Sequence, residues 1–304
     1  MDLVAIGPRA IAAAVLAGGV LLSATLPMTP DRSPQVKDGF VVLAGDFHVH
    51  SFPGDGALPP WELAREARRR GLDVIGLTNH NAMLSWRLAQ RLAPLTGTDG
   101  ALLIPGEELT SVGYHIAAIG LDRTVEWHQP AAGAVAAIHA AGGVAIAAHP
   151  GRREQLSFDD AAVDALDGVE AAHPAMHTSE KNRLDFAAFY ERATRRHPGI
   201  AAIGSTDFHT FAPLGLCRTY LFAHSATRAG VLDAIRAGST VACDGKGNPY
   251  GPTHLVELIR EDCRRAARPP TDTAPWTRRV ATTAVWLALF VLVVLGAGDE
   301  AGLK

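Results

Sequence analysis

Cysteine is scarce in this chain and never paired in sequence: Cys217, Cys243 and Cys263 are odd in number, far apart and outside any C-x-x-C. That argues against a thiolate metal site or a disulfide framework, and the expectation is three buried free thiols. Charge of one sign is lacking too. With 28 Lys and Arg against 31 Asp and Glu, the net charge is -3 with His neutral, so no global basic field attracts nucleic acid as a partner. No internal repeat or low-complexity tract is present. A chain that is 48% hydrophobic and 19% charged is not disordered, and 304 residues suffice for one large domain, or for one domain plus membrane segments.

Both ends suggest the second option. An apolar stretch over 10–27 follows Arg9, so residues 1–29 read as a membrane anchor or a signal-like segment. Residues 280–298, "VATTAVWLALFVLVVLGAG", are nearly uncharged and follow Arg278 and Arg279, which predicts a transmembrane helix. The Pro- and Arg-rich stretch over 263–279 reads as a linker. Arg264, Arg265, Arg268, Arg278 and Arg279 flank that span on the domain side. The positive-inside tendency therefore favours a membrane-held domain on the cytoplasmic face, with an exported domain as the alternative.

Between the ends, residues 38–262 alternate. Apolar runs at 40–45, 72–78, 101–104, 114–120, 143–148, 167–171, 200–204 and 218–222 predict strands, and stretches such as "WELAREARRRG" and "AAGAVAAIHAAGG" predict helices closed by glycine. Such alternation favours an α/β domain with a parallel sheet or barrel, in which ligands gather at the carboxyl ends of the strands.

Histidine and carboxylate recur at those ends. "GDFHVHSFPGD" places His48 and His50 on one face of a strand terminus, because alternate residues of extended backbone share a face. His80 follows in "TNHN", then Glu107 and Glu108 in "GEELTS", His115 in "YHIAAIG" and His149 in "AAHPGRR". Glu170 and His173 lie in "GVEAAHP", and Asp207 and His209 in "GSTDFHT". An isolated H-x-H is as often a pair of hydrogen-bonded loop histidines as a metal grip. Its repetition along one predicted rim favours metal. Imidazole with carboxylate and no thiolate suits zinc, manganese or iron, and the candidates exceed the need of one ion.

The ordered set "DFHVHS…GDG", "TNHN", "GEELTS…YHIAAIG", "AHPGR" and "GSTDFH" resembles the polymerase and histidinol phosphatase (PHP) superfamily of metal-dependent hydrolases, over roughly residues 41–245. The resemblance implies a distorted (β/α)7 barrel, here flanked by N- and C-terminal hydrophobic membrane segments. It also implies two or three divalent metal ions held by His48, His50, Asp55, His80, Glu108, His115, His149, Asp207 and His209. Glu108 rather than Glu107 follows from the family's G-x-E spacing, and neighbours on a strand face opposite ways. One departure stands out: the family's T-D-H is Thr78-Asn79-His80 here, a neutral amide where a carboxylate would orient a ligating histidine.

The implied activity is hydrolysis of a small-molecule phosphoester by a metal-bridging hydroxide. An amide, ester or carbamate hydrolase on the same site is the runner-up, and a non-catalytic binding module the third reading. Arg152, directly after the "AHPG" loop, is the candidate to pair with a substrate phosphate, and Arg153 is a weaker one. His173, His177 and Lys181 are candidate substrate contacts weighed against plain surface roles. His128, His139, His197, His224 and His254 fit no motif and read as structural, while Asp159 and Asp160 read as helix-start residues.

Overall fold

The structure is a computed structural model that describes residues 11–12, 14–15, 35–96, 100–151, 153–209 and 213–267. Residues Asp31–Pro269 form one compact unit. Its strands are β1 (Gln35–Lys37), β2 (Phe40–Val49), β3 (Val74–Leu77), β4 (Leu102–Thr110), β5 (His115–Ile119), β6 (Val144–Ala147), β7 (Gly168–Ala172), β8 (Ala201–Gly204), β9 (Arg218–Ala223), β10 (Thr240–Cys243) and β11 (Pro249–Tyr250). The helices are α1 (Pro60–Arg69), α2 (Leu84–Thr96), α3 (Ala131–Ala140), α4 (Asp160–Ala165), α5 (Glu180–Arg196), α6 (Arg228–Arg236) and α7 (Thr253–Ala266).

All eleven strands belong to one sheet, ordered β11-β10-β9-β2-β3-β4-β5-β6-β7-β8, with β1 pairing β2 as a hairpin. The steps β2–β3–β4 and β6–β7–β8 are parallel, whereas β5 is antiparallel to both its neighbours and β9 to β2. Because β5 runs backwards, its first residue, His115, lies opposite Thr110 at the end of β4. A histidine at a strand start thereby joins residues at strand ends. Strands such as "VAIA" and "AAIG" are buried throughout, the continuous apolar pattern of a sheet covered on both faces.

The sheet curls into a nearly closed barrel. At one seam the Thr219 hydroxyl accepts from Gly204 N (2.9 Å) and donates to Gly204 O (3.0 Å), tying β9 to β8. A Cβ at Gly204 would sit 2.3 Å from Arg218 O, so only glycine permits that approach. At the rim, His50 N donates to Phe208 O (2.9 Å) and Phe208 N to His48 O (3.2 Å). This bridge sets the loop after β8 beside the end of β2. Leu43, Ile104, Ile119, Ile146 and Ile203 of five strands pack into one buried cluster with Val231 and Ile235 of α6. Each such side chain contributes about 1.5–3 kcal/mol through burial.

Two expectations are corrected. Among the described residues no helix is long and apolar enough to cross a membrane, which overturns the membrane-flanked architecture and the membrane-held domain on the cytoplasmic face. The stretch 280–298 lies outside the described residues, as does all but four residues of 10–27. The second correction concerns cysteine. Cys243 at the end of β10 and Cys263 on α7 form a disulfide with a Cα–Cα distance of 5.5 Å, and only Cys217 is a buried free thiol. Twenty residues of separation hid a pairing made by topology: α7 packs back on β10, and β10 was not among the expected strands. Asp159 is a helix-start residue, its carboxylate accepting from Ala162 N at 2.8 Å.

Candidate metal centre

A register shift between Asp46 and Val49 interrupts β2 just where its chemistry begins. Val49 packs with Leu63, Ile75 and Leu77 on one side. His48 and His50, flanking it, turn their Nε2 atoms to the other, toward Glu108 at 3.3 and 3.4 Å and toward Asp207 at 3.2 and 3.1 Å. The chain after His50 then doubles back. Gly56 allows this, since a Cβ there would lie 2.1 Å from His50 O, and the turn delivers Asp55, whose carboxylate accepts from His50 Nδ1 at 2.9 Å.

Glu108, fully buried on β4, is the hub. Its Oε2 lies 2.8 Å from His80 Nδ1, and its Oε1 lies 2.6 Å from His115 Nδ1 and 3.2 Å from His149 Nε2. His209 Nε2 and His80 Nε2 both approach Asp55 Oδ2, at 3.0 and 3.2 Å. All nine residues singled out from the motifs thus fall into three overlapping groups whose ligand atoms lie within 4.8 Å of one another: His50, Asp55, His80 and His209; His48, His50, Glu108 and Asp207; Glu108, His115 and His149. Two residues, His50 and Glu108, each belong to two groups.

The middle group carries the test of fit. His48 Nε2, His50 Nε2, Glu108 Oε2 and Asp207 Oδ1 are buried and converge to ion-pair distance, yet none of these contacts has the geometry of a hydrogen bond. A buried polar atom left so costs about 1–3 kcal/mol. Four of them in one set, two neutral-nitrogen donors of electron pairs and two carboxylate oxygens, match what a divalent cation takes. His149 (φ 25°) and Asp207 (φ 52°) are held in the left-handed region, which costs non-glycine residues about 1–3 kcal/mol and clusters at working sites.

The electrostatics follow from crowding. Burial works against charge on His48, but the Asp207, Glu108 and Glu170 carboxylates outweigh it and hold its pKa well above the ordinary value. His50 is likewise pushed up to about 9, burial being outweighed by Asp207 and Glu108. Burial would raise Glu108 and Asp207, yet the surrounding histidines, His48 foremost, hold both well below the usual carboxylate range. A cation would take over the role of those protons, so metal binding releases protons here.

Sequence reasoning placed Glu170 on the rim without a role and gave Asp46 none; both serve to aim the ligands. Glu170, buried on β7, accepts from His48 Nδ1 at 2.9 Å and from the His149 backbone N–H, fixing the His48 tautomer that presents Nε2 inward. Its signal was its place one strand from the motif histidines. Asp46 accepts from Thr206 N (3.1 Å), Gly215 N (3.0 Å) and the Thr206 hydroxyl, anchoring the loop that carries Asp207. The Asn79 side chain is spent on the turn after His50, although its backbone O accepts from Glu108 N at 3.2 Å. Its Oδ1 accepts from Ser51 N (3.1 Å) and Ser51 Oγ (3.0 Å), while its Nδ2 donates to Ser51 O (2.6 Å) and Pro53 O (3.3 Å). A carboxylate has no hydrogen for the last two; the amide is matched to its place.

Beside the cluster opens a cleft of about 750 Å³, lined among others by His149, Arg153, His173, Lys181, Asn182 and Asp207. Arg152 lies outside the described residues, while Arg153 is exposed. His177 lines a second cleft of about 440 Å³ with Lys246 and Tyr250. Burial drives the pKa of His173 down to about 4, so its imidazole is neutral at pH 7.

No family model matches the chain. A two-domain protein from Bacteroides vulgatus ATCC 8482, described as containing a predicted PHP-like metal-dependent phosphoesterase, superposes with a TM-score of 0.61 at 22% identity, over 78% of this chain and 75% of that one. The chain has the PHP-type fold. PsfC from Pseudomonas syringae PB-5123 shares it at a TM-score of 0.51 and 16% identity, over 75% of this chain and 99% of its own. A 5'-3' exoribonuclease from Haemophilus influenzae is 32% identical over 83 residues, and this chain spans only 29% of its length. On the PHP-type barrel of this chain, the three groups of candidate ligands gather at one rim.

Proposed function

We propose that residues 38–262 are a metal-dependent phosphoesterase domain that hydrolyses a small-molecule phosphoester. The observation that carries this reading is the set of four convergent buried atoms on His48, His50, Glu108 and Asp207 that form no hydrogen bond, framed by two further groups that share their residues. The likeness of the fold to a PHP-like metal-dependent phosphoesterase supports the reaction class. His48, His50, Asp55, His80, Glu108, His115, His149, Asp207 and His209 are the proposed ligands of two or three divalent ions. Zinc, manganese and iron all suit the donor set.

Such ions, when bound, supply the acidity that activates water near neutral pH and the charge that holds an oxyanion. The chain's own residues do the rest. His50 and Glu108, each belonging to two groups, together link all three, and Glu170 holds His48 and the backbone at His149 in their orientations. On the cleft wall Arg153 and Lys181, the latter paired with Asp185 at 2.6 Å, bring positive charge beside the Glu154 carboxylate, charge that a phosphoryl group can pair with.

The test is to load the purified protein with zinc, manganese or iron(II) and assay phosphomonoesters, phosphodiesters, carboxyl esters and amides. Metal-dependent turnover of phosphoesters is expected. Turnover of carboxyl esters or amides without any phosphoester turnover would replace this reading with the carbon-centred hydrolase.

A further inference from the structure

His173 is built into the wall of the main cleft without taking part in any of the three ligand groups. It follows β7 directly and caps the short 3-10 turn Pro174–His177: its ring Nδ1 accepts from Ala175 N at 3.1 Å, while its own backbone N–H faces Met176 Sδ at 3.3 Å. The ring stands between His149 (centroids 5.5 Å apart) and Phe186 (5.9 Å, stacked), both of which line the same cleft. Since Nδ1 receives a hydrogen from the backbone, the neutral ring carries its own hydrogen on Nε2. That Nε2 is buried and has no hydrogen-bond partner.

A side chain 5% exposed, with one nitrogen committed to the backbone and the other an unpaired donor, calls for an acceptor from outside the chain. Its surroundings say what kind. Arg153 lines the same cleft with Lys181, whose Nζ also donates to Asp185 at 2.6 Å, with Asn182, whose Nδ2 donates to Thr178 Oγ1 at 2.8 Å, and with the carboxylate of Glu154; the candidate metal ligands His149 and Asp207 line it too. We propose that His173 binds a phosphoryl oxygen of the substrate through Nε2–H, as a fixed, uncharged donor beside the metal cluster. This deepens the phosphoesterase reading and rests on it. The backbone cap gives the donor its direction before substrate arrives, so the contact needs no reordering of a flexible side chain.

Two substitutions separate this role from a merely structural one. His173→Asn puts an oxygen near the position of Nδ1, so it keeps the cap on Ala175 and surrenders the donor. His173→Gln puts an amide nitrogen near the position of Nε2, so it keeps a donor and surrenders the cap. The measurements on metal-loaded protein are kcat/KM for the best phosphoester, inhibition by inorganic phosphate, calorimetric affinity for inorganic phosphate, metal content and melting temperature. With His173→Asn, kcat/KM falls about 10- to 100-fold and inorganic phosphate binds several-fold more weakly, at unchanged metal content. His173→Gln recovers a substantial part of both. If Asn behaves as wild type while Gln is impaired, the ring serves the fold alone and the proposal is overturned. If wild type turns over no phosphoester but its affinity for phosphate still drops with Asn and returns with Gln, the phosphoesterase reading fails and the anion contact stands. Phosphoester turnover with both constants unchanged in Asn overturns the contact and leaves the phosphoesterase reading intact.

Discussion

Glu107 and Glu108 are adjacent on β4, equally buried, and chemically opposite. Glu108 faces the barrel rim among five histidines and is held far below the usual carboxylate range. Glu107 faces the outer layer, where it accepts from Val125 N at 2.6 Å, and burial pushes its pKa up to about 7. One residue of register separates the proposed metal hub from a carboxyl whose pKa burial raises to about 7. The difference lies in what the two faces of one strand meet: ligands gathered from five other segments on one side, the 120–128 loop on the other.

The largest effect tests that contrast directly. Glu108→Gln removes the charge shared by two ligand groups and should abolish metal retention, with phosphoester turnover down by at least about a thousandfold. Glu107→Gln should keep both. Elemental analysis of the two purified variants decides it, and equal metal loss in both would mean that the faces are not distinct.

The outer layer should instead answer in stability. Cys243→Ser with Cys263→Ser unlinks α7 from β10 and should cost about 3 kcal/mol for a loop of this size, read from denaturant unfolding. Metal stoichiometry should not change. A metal loss matching the stability loss would show that the layers are coupled.

Much of this was legible in the sequence, and the failures have causes. The eight strands expected from apolar runs are all present, because strands buried on both faces, parallel or antiparallel, have no polar face to obscure them. Missing were β1, β10 and β11, two to four residues long, whose pairing depends on partners rather than on pattern. The nine motif residues do lie together, His115 reaching the group from the start of the reversed β5 and not from a strand end, but nothing in "GVEAAHP" said that Glu170 would aim His48, since that needs β7 laid beside β6 and across from β2. Asn79 reads from the sequence as a neutral amide standing where the family has an orienting carboxylate. Its two donor bonds to Ser51 and Pro53 carbonyls are invisible until the loop is folded.

That reversal is testable. Asn79→Asp turns an N–H donor into a carboxylate oxygen facing two carbonyls and should loosen the turn carrying His50 and Asp55. Metal affinity should fall about 10- to 100-fold, the range for residues that orient ligands. Titration with a metal indicator measures it, and tighter binding in the Asp variant would restore the opposite view of this position.

The smallest effect is a pH dependence confined to Glu107. Its folded-state pKa of about 7 lies above the ordinary 4.5, so the folded protein binds the extra proton. Between those values, the native state holds more protons than the unfolded chain, and stability must fall as pH rises. The contribution is whole below about pH 4.5 and is lost by the time pH has passed 7. Glu107→Gln fixes the group in a form close to the protonated one, with an oxygen still able to accept from Val125 N. Metal-loaded wild type and variant should therefore have similar stability near pH 5 and separate toward pH 8, where the variant gains by about 1–2 kcal/mol. The comparison cancels every other titrating group that the two share, including the metal ligands. Parallel stability profiles from pH 5 to 8 would show that Glu107 is ionised in place, and that the contrast with Glu108 is one of position without a difference in charge.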